Sequence, residues 1–232
     1  MTTFEIAGCT ALVTGANRGL GRAIALALVA AGATTVYAGA RDPRPVTDPG
    51  LVPVPLDITD PADVAAAAER CTDTNLLVNN AGVMHRSSLL TAPTFDDARA
   101  DLETNLFGTL SMSRAFAPVL GRNGGGALVN MLSVLSWLPL PQVGGYGVSK
   151  AAAWSMTNAL REELRGQSTL VVAAHAAFID TDMAAHADQP KTSPEDVARQ
   201  ILDALGSGRE EVLVDDLTRH VKAGLSATAG ER

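Results

Sequence analysis

Tyr146 and Lys150 are the two residues of this chain whose types and spacing most directly suggest chemistry. They lie four positions apart at the start of an alanine-rich stretch, and residues 146–166 have the pattern of one helix. Residues at this spacing share a helix face, so the phenol and the ammonium group are predicted to point into the same space. A neighbouring cation lowers the pKa of a tyrosine from its usual value of about 10, which would let the phenol exchange a proton with a substrate oxygen. The pair by itself is also compatible with an ordinary surface contact.

The elements that must position these side chains alternate regularly along the chain. Apolar runs predict strands at residues 10–14, 34–38, 52–56, 75–79, 127–132, 170–174 and 211–215. Helical patterns lie at residues 19–31, 61–70, 96–120, 146–166 and 193 to about 205. This alternation predicts an α/β fold with a doubly wound, mostly parallel sheet of about seven strands and helices on both faces. We find no repeat or linker-like stretch, so residues 1–232 are predicted to form a single domain.

Composition and charge exclude several classes of protein. The net charge of −7 argues against a nucleic acid or an anionic membrane as partner. The longest apolar run, residues 23–33, is too short to span a bilayer. The two cysteines favour a reduced cytoplasm, and the four histidines lack the spacing of metal ligands, so no metal site is expected. The charged fraction of 19% is somewhat low, which suggests that a partner subunit covers part of the surface.

A glycine-rich loop follows the first predicted strand directly. Glycines at such a turn let the backbone approach a pyrophosphate closely, and the helix that follows offers its free N–H groups to the anion. Because this loop joins the first strand to the first helix of an alternating chain, it predicts a dinucleotide-binding site. The residues that would form this site are Gly15, Asn17, Arg18, Gly19, Leu20 and Gly21.

Arg41 stands at the end of the second predicted strand, where dinucleotide folds that bind NAD often carry an acidic residue. An arginine there suits the 2′-phosphate of NADP(H), and Arg18 could reach the same phosphate from the glycine loop. The sequence therefore favours NADP(H). Arg41 could also be a solvated loop charge, and the adjacent Asp42 leaves NAD(H) possible.

Taken together, these motifs resemble those of the short-chain dehydrogenase/reductase family, in its small single-domain form. The resemblance extends from about residue 8 to residue 215. Ser133 lies thirteen residues before Tyr146, the usual spacing of the family's serine, whereas its rival Ser136 lies ten residues before. The remaining residues that carry the resemblance are the loop at 14–21, Asp57, Ile58, the Asn79–Asn80–Ala81–Gly82 motif, Asn105, Lys150, Ile179 and Thr181.

The resemblance implies the Rossmann fold and an NADPH-dependent reduction of a ketone or aldehyde, reversible as the oxidation of an alcohol. It implies Tyr146 as the general acid and Ser133 as a hydrogen-bond partner of the substrate oxygen. Lys150 would lower the tyrosine pKa and hold the nicotinamide ribose, and Asn105 would anchor a water in a proton relay. Asp57, Ile58, Asn80, Ala81, Gly82, Ile179 and Thr181 are expected to contact the cofactor.

Several alternatives remain open at the level of sequence. Asn105 could be a buried polar group that satisfies a kinked backbone, and Asn79 and Asn80 could tie neighbouring strands together. The chain could be an NAD-dependent alcohol dehydrogenase, or a sensor that binds NADP without turnover. The helices at 96–120 and 146–166 are apolar on more than one side, which together with the resemblance predicts a homodimer or homotetramer.

The chain departs from the family pattern at three places. Ala176 and Ala177 replace the usual Pro-Gly pair, Leu132 replaces a first serine, and few residues separate Thr181 from the helix near residue 193. The last departure predicts a short lid over an open pocket. The pocket wall is expected to be mostly apolar and to favour an uncharged ketone or aldehyde with hydrophobic substituents, although Arg86 could attract an acid and Trp137 could instead contact a partner subunit. Its candidate residues are Met84, His85, Arg86, Trp137, Leu138, Pro139, Val143, Met183 and His186.

Overall fold

The strands form one parallel sheet in the computed structural model, which describes residues 3–185 and 187–226. The sheet has the order β3-β2-β1-β4-β5-β6-β7, and every neighbouring pair is parallel. The predicted α/β fold with a doubly wound sheet is therefore confirmed. The strands are β1 Thr10–Thr14, β2 Thr35–Ala40, β3 Leu51–Pro55, β4 Leu76–Asn79, β5 Ala127–Met131, β6 Leu170–His175 and β7 Glu211–Leu213.

The helices differ from the prediction at two places. The single long helix expected at 96–120 is interrupted by a π-helical segment, Glu103–Gly108, which contains Asn105. A short helix that the sequence pattern did not predict follows the last strand, where the side chain of Asp215 caps it by accepting a hydrogen bond from the backbone N–H of Thr218, 2.8 Å away. The helices are α1 Gly19–Ala30, α2 Pro61–Arg70, α3 Asp96–Leu102, α4 Thr109–Arg122, α5 Gly144–Leu164, α6 Pro194–Ser207 and α7 Asp216–Ala223.

The sheet separates two hydrophobic cores because successive strand residues point to opposite faces. On one face, α1 and α6 pack against strand residues such as Val13 and Val78. On the other face, α2, α4 and α5 pack against Leu12 and Leu77, the immediate sequence neighbours of those valines. Burial on both faces explains why the strands are continuous apolar runs in the sequence.

The two edges of the sheet are of different kinds. β3 forms one edge and contains Pro53 and Pro55, which have no N–H to donate to a further strand. β7 forms the other edge and is only three residues long. Over residues 3–185 and 187–226, no helix is long and apolar enough to cross a membrane.

Candidate active site

Tyr146 and Lys150 lie on the first two turns of α5, and both side chains are buried at the carboxyl end of the sheet. The Lys150 Nζ lies 5.7 Å from the centroid of the Tyr146 ring. It donates a hydrogen bond to the backbone carbonyl of Met131, the last residue of β5, at 2.8 Å. The lysine is therefore anchored to the strand, and its ammonium group is held beside the phenol.

The two candidate serines have different environments. Ser133 lies two residues after the end of β5, is buried, and forms a side-chain hydrogen bond that lowers the pKa of Tyr146. Its hydroxyl also accepts a hydrogen bond from the backbone N–H of Leu135 at 3.1 Å. Ser136 instead donates to the backbone carbonyl of Lys150 at 3.1 Å. The geometry therefore associates Ser133 with the phenol and gives Ser136 a contact that fixes the helix.

Burial determines the pKa values of the pair. It raises the pKa of Tyr146 to about 12, opposed by the Ser133 hydrogen bond and reinforced by the charge of Asp101. It lowers the pKa of Lys150 to about 8, opposed by the same Asp101 carboxylate. The net direction for Tyr146 is upward because burial disfavours the charged phenolate, and the expectation that Lys150 lowers the tyrosine pKa stays a prediction.

Asn105 uses its amide to hold the loop after β4 against α5. Its Oδ1 accepts a hydrogen bond from the Val83 N–H, and its Nδ2 donates to the Val83 carbonyl and to Ser149 Oγ, each at 2.9 Å. Ser149 in turn donates to the carbonyl of Tyr146 at 2.7 Å. A Cβ added to Gly82 would lie 2.9 Å from Asn105 Oδ1 and 3.7 Å from Lys150 Nζ, so the three residues are adjacent. Asn105 thus satisfies the backbone N–H and carbonyl of Val83, and it lies beside Lys150.

The glycine loop between β1 and α1 packs so closely that side chains cannot enter it. Gly15 and Gly19 have φ values of +66° and +52°, in the left-handed region that favours glycine. A Cβ on Gly21 would overlap the carbonyl oxygen of Gly15 and lie 2.5 Å from the Asn80 amide nitrogen. Asn80 closes the loop from β4 by donating to the Thr14 carbonyl at 3.0 Å, a contact that ties the two strands together.

Asn79 also ties strands together, on the face of the sheet that packs against α4 and α5. Its Nδ2 donates to Asn130 Oδ1 on β5 at 2.9 Å and to Ser113 Oγ on α4 at 3.2 Å. Asn130 Nδ2 in turn donates a hydrogen bond to Thr157 Oγ1 on α5 at 2.9 Å. These contacts fix α4 and α5 relative to the sheet and therefore help to place Tyr146.

One cleft of about 720 Å³ joins the glycine loop to Tyr146 and Lys150. Every residue that the sequence predicted to contact a cofactor lines this cleft, together with others that it did not predict. The predicted residues are Gly15, Asn17, Arg18, Gly19, Leu20, Gly21, Arg41, Asp57, Ile58, Asn80, Ala81, Gly82, Ile179 and Thr181. The residues that were missed are Ala40, Asp42, Leu56, Thr59, Val83, Thr104, Met131, Leu132 and Asp182.

Two charged residues at the cleft rim, Arg18 and Asp42, are already paired within the protein. Arg18 forms an ion pair with Asp182, a contact that the sequence did not suggest. Asp42 is bound by the backbone and the guanidinium group of Arg44, which lowers the pKa of its carboxyl to about 2. Arg41 is exposed on the cleft wall, where its charge lowers the pKa of Asp57 as a smaller contribution beside the hydrogen bonds from Thr59.

The candidate pocket residues divide into two groups. Met84, His85 and Met183 line the cleft. Trp137 and Val143 do not line it, so the geometry of the cleft does not support their assignment to the pocket. The Trp137 ring instead stacks on His175 with centroids 4.0 Å apart, and Val143 is buried just before α5. Arg86 is exposed, Leu138 and Pro139 do not line the cleft, and His186 lies outside the described residues.

Trp137 belongs to a cluster that joins the end of β6 to the last helix. Its ring meets Trp154 edge-to-face at 5.8 Å, and the Lys222 ammonium group lies 4.6 Å from its centroid. Aromatic faces attract cations, which explains why Trp137 packs here. His175 Nδ1 lies 3.2 Å from the carbonyl oxygen of Ser133, so the same cluster also contacts the candidate serine.

Comparison with known proteins identifies the family. A family model described as short chain dehydrogenase matches residues 9–192, which include the glycine loop, Ser133, Tyr146 and Lys150. The chain belongs to the short chain dehydrogenase family. The family resemblance inferred from the sequence is therefore confirmed.

Solved structures of short chain dehydrogenases superpose closely on this one. One from Burkholderia cenocepacia, in complex with NADP, has a TM-score of 0.94 and 41% identity, and the match covers 98% of this chain and 96% of that one. A second from the same organism, also with NADP, has a TM-score of 0.82 and 30% identity, covering 93% and 99%. The short chain dehydrogenase tazN of Aspergillus terreus is 33% identical over 77% of this chain, but the match spans only 43% of its own length.

The short chain dehydrogenase pattern of Pro-Gly is replaced here by Ala176 and Ala177 without unusual backbone geometry. Ser168 is the one non-glycine residue of the described ranges with positive φ, so neither alanine adopts a conformation that requires glycine. The Ala176 carbonyl accepts a hydrogen bond from the Val134 N–H at 2.9 Å, and the Ala177 N–H donates to Asp215 at 2.8 Å. The turn after β6 is therefore held by the cap residue of α7.

His175 should make this short chain dehydrogenase sensitive to acid. Its side chain is fully buried, and burial lowers its pKa from 6.5 to about 4. Above pH 6.5 the histidine is neutral in both states. Between pH 6.5 and about 4 only the unfolded chain binds the proton, so the free energy of unfolding should fall by roughly 3 kcal/mol. Urea unfolding across this range measures the loss, and His175→Asn should flatten the dependence. If the free energy of unfolding of that variant falls with pH as steeply as before, groups other than His175 cause the acid sensitivity.

Proposed function

We propose that this chain is an NADP(H)-dependent oxidoreductase that reduces a ketone or aldehyde and, in reverse, oxidises the corresponding alcohol. The observation that carries the proposal is that Tyr146, Lys150 and the glycine loop line one continuous cleft. Dinucleotides bind at this position in doubly wound sheets, outside the carboxyl ends of the strands. A phenol and an ammonium group at the other end of the same cleft suit proton transfer to a carbonyl oxygen.

The residues present fit a nicotinamide dinucleotide. The loop at Gly15, Gly19 and Gly21 leaves the space that a pyrophosphate needs, and α1 begins directly behind it. A bound nicotinamide would exchange hydride with the reacting carbon. Lys150 and the segment at Ile179 and Thr181 would hold its ribose and carboxamide, and Asp57 and Ile58 would contact the adenine.

The proton chemistry follows from the pKa values of the protein groups. With a pKa of about 12, Tyr146 keeps its proton at neutral pH and can donate it to a developing alkoxide. With a pKa of about 8, Lys150 is mostly cationic at neutral pH and stabilises the phenolate that remains after donation. Ser133 would orient the substrate oxygen toward the phenol. Asn105 fixes the loop and the helix that carry these groups through its contacts with Val83 and Ser149.

A preference for NADP(H) over NAD(H) is supported by the charges near the end of β2. Arg41 is exposed on the cleft wall, whereas the neighbouring Asp42 is neutralised by Arg44. We propose that Arg41 binds the 2′-phosphate of the cofactor. Arg18 is held by Asp182, so it would join the site only by exchanging that partner.

Replacing Arg41 by alanine should weaken NADP(H) binding by roughly 10- to 100-fold, the effect of losing a hydrogen bond to a charged group. Binding of NAD(H) should change little. Titration of both cofactors by fluorescence measures this, with Arg165→Ala as the control because Arg165 pairs with Glu162 on the surface away from the cleft. Tighter binding of NAD(H) than NADP(H) by the unaltered protein would contradict the preference and favour an NAD-linked alcohol dehydrogenase.

The reaction itself is tested by a panel of carbonyl compounds scored by consumption of NADPH, with product chirality recorded. Turnover of ketones or aldehydes supports the proposed reductase. A protein that binds NADPH but consumes none with any compound or alcohol in the panel would instead be a sensor.

We also propose that the protein forms a homodimer or homotetramer through the helices around the π segment and α5. Phe107 and Val148 lie on these elements and are 50% and 47% exposed, which is unfavourable for apolar side chains left in water. Sedimentation velocity should give a mass of at least twice 24.0 kDa, and Val148→Asp should lower it. A monomer at micromolar concentration would contradict this arrangement.

A further inference from the structure

His85 lies in the cleft but has no part in the chemistry described above. It follows the Asn79–Gly82 segment by three residues, and its side chain is 39% exposed. It lines the cleft together with Tyr146 and Met183. A polar ring at this position would face whatever substituent a substrate carries next to its reacting group.

The ring is held by a buried acid. Asp101, on α3 one turn before Asn105, is 1% exposed. One of its oxygens, Oδ1, lies 2.9 Å from His85 Nδ1 and accepts the backbone N–H of the same residue at 3.1 Å. Two contacts to one carboxylate oxygen fix both the loop and the plane of the imidazole.

The second oxygen of Asp101 shows that this acid has no other polar partner. Its Oδ2 is buried without a hydrogen bond to any residue of the described ranges, and a Cβ on Gly145 would lie 3.2 Å from it. A buried carboxylate with an unpaired oxygen is energetically costly. Burial raises the pKa of Asp101, and only the contacts with His85 oppose this. Orienting His85 is therefore the function that the surroundings of Asp101 support.

With Nδ1 directed at Asp101, the other ring nitrogen of His85 is left for a ligand. His85 Nε2 forms no hydrogen bond with the part of the chain that the structure describes. This nitrogen accepts a hydrogen bond when the ring is neutral and donates one when the ring is protonated. A hydroxyl group can donate to the neutral ring or accept from the protonated ring. An apolar substituent would remove water from His85 Nε2 without offering it a hydrogen bond.

We propose that His85, oriented by Asp101, binds an oxygen substituent of the substrate, so that preferred substrates are carbonyl compounds with a hydroxyl group beside the carbonyl. The inference rests on the proposed carbonyl reduction and narrows its substrate class. It modifies the expectation of hydrophobic substituents, because sites built to hydrogen-bond a hydroxyl discriminate strongly against analogues that lack it. Asp101 acts as a positioning residue and His85 as a substrate-binding one.

Matched pairs of compounds test this assignment. Each pair exchanges one hydroxyl for a methyl group of similar size: hydroxyacetone against butanone, and hydroxycyclohexanone against methylcyclohexanone. The unaltered protein should favour the hydroxyl member by about tenfold or more in kcat/KM, the effect of one well-formed hydrogen bond. In His85→Leu the ratio should fall toward one, and in His85→Gln part of it should return, since the amide restores a polar end.

Two variants of Asp101 separate positioning from folding. Asp101→Asn keeps an oxygen that can accept from His85 and should retain most of the preference, whereas Asp101→Leu should lose it. If Asp101→Leu does not fold, the comparison of His85→Leu with His85→Gln carries the test. A preference that survives both His85 variants, or equal rates for the two members of each pair in the unaltered protein, overturns the inference and leaves the proposed reduction intact.

A binding experiment keeps the inference testable if no compound is reduced. Hydroxyacetone should raise the Tm of the NADP-loaded protein but not that of NADP-loaded His85→Leu, and butanone should raise neither. That result would support binding of the hydroxyl compound by His85 even if the protein reduces no carbonyl compound. No difference between the two proteins would overturn the site as well.

Discussion

Replacing Tyr146 by phenylalanine should lower kcat for carbonyl reduction by at least about 100-fold, the usual scale for loss of a general acid. The substitution removes only the hydroxyl group. The buried ring remains, and so does the Lys150 ammonium group 5.7 Å from its centroid. Binding of NADPH should therefore change little while turnover is lost, which steady-state kinetics and a separate cofactor titration distinguish.

The chain provides a matched control, because Tyr37 is its only other tyrosine. Tyr37 lies on β2, and its hydroxyl donates to Asp73 at 3.0 Å without lining the cleft. Tyr37→Phe should leave kcat unchanged. A Tyr146→Phe protein with a near-normal rate would mean that another group donates the proton.

Replacing Gly21 by alanine should abolish measurable NADPH binding and destabilise the fold. The new methyl group would overlap the carbonyl oxygen of Gly15 and come within 2.5 Å of the Asn80 amide nitrogen. Overpacking of a tight interior usually costs about 1–3 kcal/mol. Because the main obstacle here is backbone rather than a flexible side chain, the loss should lie near or above the upper end of that range. Urea unfolding and cofactor titration measure the two effects.

Gly206→Ala serves as the control for this prediction. Gly206 lies within α6, is exposed, and a Cβ there would meet nothing within 4 Å. Alanine should increase stability by up to about 1 kcal/mol, since glycine is unfavourable in a helix interior. A Gly21→Ala protein as stable as this control would show that the loop can open to admit the side chain.

The strand positions could be predicted to within two residues because burial on both faces makes each strand a continuous apolar run. The π-helical segment Glu103–Gly108 could not be predicted. Its apolar positions continue those of the flanking helices, and only the spacing of the backbone hydrogen bonds differs. The helix α7 was missed because Asp215 was taken as the end of the last strand. Its carboxylate is in fact the helix cap, a local signal that the sequence did contain.

The cofactor side of the site was predictable because its residues lie in short motifs at the ends of strands. The substrate side was predictable only in part, since it also depends on contacts between residues distant in the chain. Trp137 was expected in the pocket, but His175 at the end of β6 and Lys222 on α7 together determine where it packs. Asp101 was not selected at all, because nothing near it in the sequence shows that it reaches His85.

The prolines of β3 have a consequence for behaviour at high concentration. An exposed sheet edge can serve as a template on which other chains add strands, the route by which many proteins form amyloid. Pro53 and Pro55 lack the backbone N–H groups that an added strand would need at the β3 edge. At the opposite edge, β7 has only three residues with which another strand could pair. Concentrated solutions of the folded protein should accordingly resist fibril growth, even when its surface helices favour self-association.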